Sequence, residues 1–197
     1  MRPTLILLLL VAAPAHADRF SAGAGGFWGN NTVSQPSGGS SVFAGPGVEL
    51  GIRFEVGQPK STGVVDAIGL SGSYLISSES NVGSGLSGEK LKTSGFSLGA
   101  DVRFRWLTLG AEWRSITLSS NGTGGQSAKA TVAGFGPRAG IMIRVKKRFL
   151  VHPYFALHSL SAGPEQSFSG STQQIGSWRA GLMIYLRLVG NKTAAAD

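Results

Sequence analysis

The chain has 197 residues, a formal charge of +8, 30 glycines, no cysteine and only 14% charged residues. The lack of cysteine excludes disulfide frameworks, thiol catalysis and Cys-ligated metals. Soluble globular proteins carry about 25% charged residues, and a chain this poor in charge suits a surface that meets hydrocarbon instead of water.

Arg2, the apolar run Leu5 to Val11 and the small-x-small sequence Ala15-His16-Ala17 read as a cleavable export signal over residues 1–17. The run falls short of the roughly 20 residues a spanning helix needs. The remainder reads as one domain over 18–188 with a frayed tail over 189–197. For an exported basic chain the expected partners are anionic lipid head groups, not nucleic acid.

Eight strand-like stretches follow in order. The first is Phe20–Gly29, and a Ser/Gly/Asn-rich loop runs on to Ser41. In Phe43–Val56, the residues Val48, Leu50, Ile52, Phe54 and Val56 alternate with Glu49, Gly51, Arg53 and Glu55. A link through Pro59 and Lys60 leads to Val64–Ile76, and a polar loop then spans Ser77 to Lys92. Gly95–Trp106 is the cleanest repeat: Phe96, Leu98, Ala100, Val102, Phe104 and Trp106 lie opposite Ser97, Gly99, Asp101, Arg103 and Arg105. Successive side chains of a strand point to opposite sides, so each stretch has an apolar face and a small or charged face.

The fifth stretch is Leu107–Leu118, with a phase slip at Ser115–Ile116 where a bulge is expected. A loop around Asn121–Gln126 precedes Lys129–Val145, and the basic turn Lys146-Lys147-Arg148 leads into Phe149–Leu160. A Gly/Ser/Gln loop then leads to Ile175–Leu188. Long polar loops alternate with short turns, the asymmetry of transmembrane barrels. The predicted fold is all-β: an antiparallel, eight-stranded, up-and-down transmembrane barrel, expected as a monomer.

With lipid outside, the charged face lines the lumen, and buried charges must pair. Glu49, Glu55, Asp101 and Glu112 have Arg53, Arg103, Arg114, Arg138, Arg144 and Arg179 as candidate partners. Arginine suits this role because its planar fork binds carboxylates bidentately. An eight-stranded interior is just wide enough for side chains to fill, so these pairs are expected to plug the barrel. Phe20, Phe54, Phe104, Trp106 and Phe149 fall near the short turns, and Trp28, Tyr74, Phe96 and Trp178 toward the loops, as two interfacial girdles would.

In this arrangement the chain resembles the small outer-membrane barrels of the OmpA/OmpX type. The resemblance covers the whole mature chain. It extends to Arg179-Ala180-Gly181-Leu182-Met183-Ile184-Tyr185-Leu186, which is similar to the polar-x-Gly-x-x-hydrophobic-x-hydrophobic assembly signal of that family. No terminal aromatic follows, since the chain continues to Asp197. The resemblance implies residence in the bacterial outer membrane, recognition by the outer-membrane insertion machinery and contact with outer-membrane lipids and lipopolysaccharide. No cofactor is expected, since there is no Walker or dinucleotide loop and no His/Asp/Glu cluster has metal-ligand spacing.

Two further groups carry chemistry. Lys146, Lys147 and Arg148, with Lys60 and Arg105, would form a basic collar on the periplasmic side. His152 and His158 precede Ser159, Ser161 and Glu165. An alternative reading makes His158 a base, Ser161 or Ser159 a nucleophile and Glu165 the orienting acid of a lipid A deacylase. The expected function is a structural or surface-contacting barrel whose external loops, near Asn30–Ser41, Ser77–Lys92, Ser119–Ala128 and Ala162–Gln174, meet adhesion partners or lipopolysaccharide. A soluble, lipocalin-like binder with the apolar face inward is the remaining alternative.

Overall fold

The structure is a computed structural model and describes residues 19–34, 39–57, 65–82, 90–121, 127–146, 148–163 and 172–190. The export signal, Lys60, Glu165 and the tail beyond 190 lie outside the described residues. The strands are β1 (Arg19–Ser34), β2 (Ser40–Val56), β3 (Ala67–Asn81), β4 (Lys90–Phe104), β5 (Leu107–Asn121), β6 (Ser127–Ile141), β7 (Ile143–Arg144), β8 (Phe149–Ala162) and β9 (Gln173–Gly190). All pair antiparallel with their neighbours, β1 pairs with β9, and β8 pairs with both β6 and β7. The two-residue β7 continues the wall of β6 across a break at Met142, so the sheet closes as an eight-stranded barrel.

Closure follows from the medium. Hydrocarbon offers no partner to a free N–H or C=O, and a closed sheet satisfies them between strands. Two ladders nevertheless skip a step. The β2–β3 register passes from Ala44↔Ser80 to Gly47↔Ser77, and the β6–β8 register from Phe135↔Ser159 to Arg138↔Ala156. Pro46 and Pro137 sit in these gaps. Proline has no N–H to give, and each keeps its pairing on the opposite side, with Trp28 and Ala111.

The strands are longer than their alternation suggests. About 9–11 tilted residues cross a bilayer, whereas these long strands have 14 to 18. The polar stretches read as loops are strand at their ends. Asn30–Ser34, Ser77–Asn81 and Lys90–Lys92 carry ladder pairs, leaving the segments 35–39, 82–89, 122–126 and 163–172 to connect strands at that end. The excess forms a collar beyond the membrane.

The outward face shows where the membrane ends. Val48, Leu50, Ile68, Leu70, Leu182 and Ile184 are exposed in a continuous apolar band. Trp28, Tyr74, Phe96 and Phe135 edge it toward the collar, while Trp106 and Phe149 edge it toward the short turns. Ring contacts knit the edges, with Phe20 stacked on Phe54 at 4.8 Å between centroids and Tyr74 against Phe96 at 5.0 Å. Phe96 and Phe104 are eight residues apart, about 26 Å along a strand and about 20 Å in height at the usual tilt, which suits an apolar band about 25 Å tall. This outward greasiness rules out the lipocalin-like arrangement.

No bulge occurs at Ser115–Ile116, because β5 keeps an unbroken register with both neighbours. Ile116 and Leu118 point into the lumen, where they are fully buried, while Ser115 and Thr117 point out. The alternation inverts in polarity, not in geometry. Above the membrane the outside is water and the inside can be apolar. The irregularity that does occur lies between Phe20 and Ser21, where Val189 and Arg187 are their partners and Leu188 is skipped.

Trp106 is not the last strand residue of its run. Arg105 and Trp106 form a two-residue turn between Phe104 and Leu107, with Arg105 at φ 56°. That left-handed conformation costs a non-glycine residue about 1–2 kcal/mol, and the Asp66 carboxylate supports it by accepting a hydrogen bond from the Arg105 backbone N–H.

Leu182, midway between Trp178 and Leu188 on the lipid face, offers a test of orientation. Leu182→Lys is expected to cost about 2–4 kcal/mol in urea unfolding from liposomes, and Thr131→Lys in the collar about 0–1 kcal/mol. Equal costs at the two positions would contradict the placement of the membrane.

Candidate functional site

The lumen is stratified. At the collar end an apolar layer of Phe27, Phe43, Leu75, Leu91, Ile116, Leu118 and neighbouring residues fills it. At the opposite end Met142, Leu150, Tyr154, Met183 and Tyr185 form a smaller apolar cluster. Between and around these layers lies the charge network, carried by inward positions of β1 to β6, β8 and β9.

Glu112 on β5 is its hub. It accepts from Arg138 Nη1 at 2.9 Å and from Arg179 Nη2, and His158 Nε2 lies 3.1 Å from it. Arg179 also lies 3.4 Å from Glu49, which accepts hydrogen bonds from the Tyr154 and Ser73 hydroxyls. The Arg138 guanidinium sits over the Tyr154 ring, 4.3 Å from its centroid. Glu112, Arg179, His158 and Glu49 are all buried. The side chains are as tightly coupled as their low-dielectric surroundings require.

A second group lies toward the short turns. Arg53 grips Asp101 bidentately, with both contacts at 2.6 Å, and donates from Nε to Glu55 at 3.1 Å. Arg103 reaches the same Glu55 at 3.1 Å, and Arg19 lies 3.7 Å from it. Glycine makes room for these groups. A Cβ at Gly69 would stand 2.7 Å from Arg53 Cζ, and one at Gly181 2.7 Å from the Tyr154 ring. Small inward residues and large ones thus alternate between neighbouring strands.

Glu49, Arg53, Asp101, Arg103, Glu112, Arg138 and Arg179 therefore meet in paired groups. Two of the arginines stand differently. Arg114 is buried and donates to Ser177 Oγ at 2.8 Å, but no carboxylate among the described residues lies within ion-pair distance of it. Arg144 is exposed on β7, because the wall has broken at Met142 and the position lies at the rim.

Other members were not singled out from sequence. Glu79, near the collar, accepts from Asn31 Nδ2 at 2.7 Å and from Ser77 Oγ at 2.8 Å. It falls in a stretch that reads as loop, which hid its inward orientation. Tyr154 and Tyr185 face inward amid apolar neighbours and carried no charge signal. His152 sits 3.0 Å from Thr108 Oγ1.

The deacylase constellation is not assembled. His158 is buried in the lumen against Glu112, while Ser159 and Ser161 are exposed on the outer face of the same strand. In an unbroken strand, residues an odd number apart face opposite ways. Of the basic turn, Lys146 and Arg148 are exposed, and Lys147 lies outside the described residues. Among the described residues no group of His, Asp and Glu could hold a metal.

No protein-family model matches the chain, and no curated protein sequence does. Solved structures do. The chain is similar to Neisserial surface protein A (NspA), with a TM-score of 0.53 at 15% identity over 85% of this chain and 96% of that one. It is also similar to Ail, the attachment invasion locus protein of Yersinia pestis, with a TM-score of 0.50 at 14% identity over 86% and 99% of the two chains. At such identity the likeness concerns the fold: a small, closed eight-stranded barrel of the OmpA/OmpX architecture.

The hub gives a direct stability test. Glu112→Ala leaves Arg138 and Arg179 buried without their shared carboxylate, which is expected to cost about 3–5 kcal/mol. Urea unfolding of the refolded barrel measures it. A change within about 0.5 kcal/mol, the range of an ordinary surface substitution, would show that the network does not hold the barrel.

Proposed function

We propose that this protein is a plugged outer-membrane barrel that works through its external surface, by adhesion or by contact with lipopolysaccharide, and not through its lumen. The observation that carries this reading is the filled interior: two apolar layers and the Glu112 and Arg53 ion-pair groups occupy the space a channel would need. The collar supports it from outside. It carries the paired strand ends beyond the apolar band. The solved relatives include Ail in complex with the heparin analogue sucrose octasulfate, a ligand of that protein. By analogy of architecture, the rim is the part of this chain suited to extracellular partners.

The barrel is read as a monomer. Its β9 segment Arg179–Leu186 is read as the signal taken up by the insertion machinery. Lys146, Arg148 and Arg105, exposed at the short-turn end, are read as contacts for anionic head groups of the inner leaflet.

In planar lipid bilayers the purified barrel is expected to give no sustained conductance, and steady ohmic openings would overturn the plugged reading. Cells displaying the barrel are expected to adhere to epithelial monolayers several-fold better than cells carrying an empty vector, or to differ in their sensitivity to polymyxin, a probe of the lipopolysaccharide layer. If adhesion and polymyxin sensitivity both match the empty-vector strain, the external-contact role fails.

A further inference from the structure

We propose that the outer face of β1 to β6 seats one molecule of a phosphorylated glycolipid of the outer leaflet, with its phosphate held by Lys92 and Lys129 and its acyl chains in a groove over Gly72. The inference rests on the external-surface reading above and gives it a defined partner and place.

The cations come first. On β4, Lys90 and Lys92 occupy the outward, exposed positions directly above Ser94 and Phe96. On β6, Lys129 is also outward and exposed. Register sets them side by side: Ser119 of β5 pairs with Lys92 on one side and with Lys129 on the other. Two inter-strand steps separate the two backbones by about 10 Å, within convergence range of two lysine side chains on a single phosphate. None of the three lysines has an ion-pair partner among the described residues. The outward neighbours at this height are Ser78, Thr117, Ser119 and Thr131, all neutral hydroxyl-bearing residues. No described carboxylate faces outward there.

The height is right for a phosphate at the membrane surface. Lys92 lies four residues above Phe96, about 13 Å along the strand and about 10 Å vertically at the usual tilt. That is just above the edge of the apolar band, where head groups lie. Lysines elsewhere on the described outer face are absent until Lys146 at the opposite rim.

Beneath the cations the apolar face is concave. A groove of about 790 Å³ is lined by Leu50, Ile52, Tyr74, Phe96, Leu98 and Trp113 around Gly72. It exists because Gly72 is the outward residue of β3 between Ile52 of β2 and Leu98 of β4, so the wall lacks a side chain at its middle. Ala22, the outward residue of β1 paired with Ile52, is small as well and extends the depression. Nearly all its lining is hydrocarbon. A cation pair above a hydrocarbon trough matches an amphiphile with an anionic head and acyl chains. In the outer leaflet that description fits the phosphorylated lipid anchor of lipopolysaccharide.

The residues concerned face away from the lumen, so the test leaves the plug intact. The mature barrel is reconstituted into phosphatidylcholine nanodiscs containing diphosphoryl lipid A, and lipid retention is measured by native mass spectrometry. Wild type is expected to retain one lipid A. The double variant Lys92→Gln with Lys129→Gln is expected to bind at least about tenfold more weakly. Gly72→Leu fills the trough and is expected to weaken binding with both lysines in place. Lys146→Gln with Arg148→Gln, at the opposite rim, is expected to bind as wild type. A heat-modifiable shift on a denaturing gel confirms that each variant is folded.

Undiminished binding by the lysine pair variant would overturn the proposal. So would equal retention of dephosphorylated lipid A, which would show the phosphate contact to be irrelevant, or of phosphatidylglycerol, which would show that the site does not select the glycolipid. The adhesion and conductance outcomes above are separate. A barrel that conducts or fails to adhere but retains lipid A through Lys92 and Lys129 would keep this site and lose the wider reading.

Discussion

A sheet surrounded by hydrocarbon cannot have an edge, and the pairing of β1 with β9 is what removes it here. Fifteen register pairs from Arg19 to Val33 join the first strand to the last. Everything else follows from that closure. A closed sheet of eight strands has an interior of fixed and narrow width, which obliges the inward residues to fit together as a core. Inward glycines lie beneath Arg53 and Tyr154 because there is no other space for a guanidinium or a phenol ring. The outward residues are released from packing against one another and answer only to the solvent at their height.

The filling of that interior solves two problems at once. Purely apolar residues on both faces would make strands without a periodic signal and chains hard to keep soluble on the way to the membrane. Charged inward residues avoid this but must be neutralised on burial. The deep lumen sets Arg53, Arg114, Arg138 and Arg179 against Glu49, Glu55, Glu79, Asp101 and Glu112, and Arg19 and Arg103 reach Glu55 from its edge. Glu112 and Glu55 each serve more than one cation, which spreads the cost of desolvation over a group. Such networks fall or stand together, since each partner satisfies donors the others would leave bare.

The middle of each strand was legible in the amino-acid sequence because membrane and lumen impose opposite demands there. Gly95–Phe104 and Val48–Val56 alternate without exception. The collar was not legible. At Ile116, Leu118 and Leu91 the apolar residue is the inward one, and the outward neighbours are serine, threonine and lysine, so the polarity pattern reverses while the geometry continues. Pattern reading takes such a reversal for a loop or a bulge. The identity of the paired residues was partly visible, since arginine and carboxylates shared a face. Which of them touched was not, because contacts such as Arg53 with Asp101 cross between strands far apart in sequence. Arg114 and Arg144 carried the same signal as their neighbours, yet one is held by a serine hydroxyl and the other stands at the rim.

The collar separates two kinds of sequence change. Its strand ends stand several rungs of backbone hydrogen bonding away from the Glu112 group. A substitution in the collar acts on the Glu112 group and on the lipid-facing band only across those rungs. Barrel and rim can then change at independent rates: the wall answers to the physics of the bilayer, and the rim to whatever the cell meets outside.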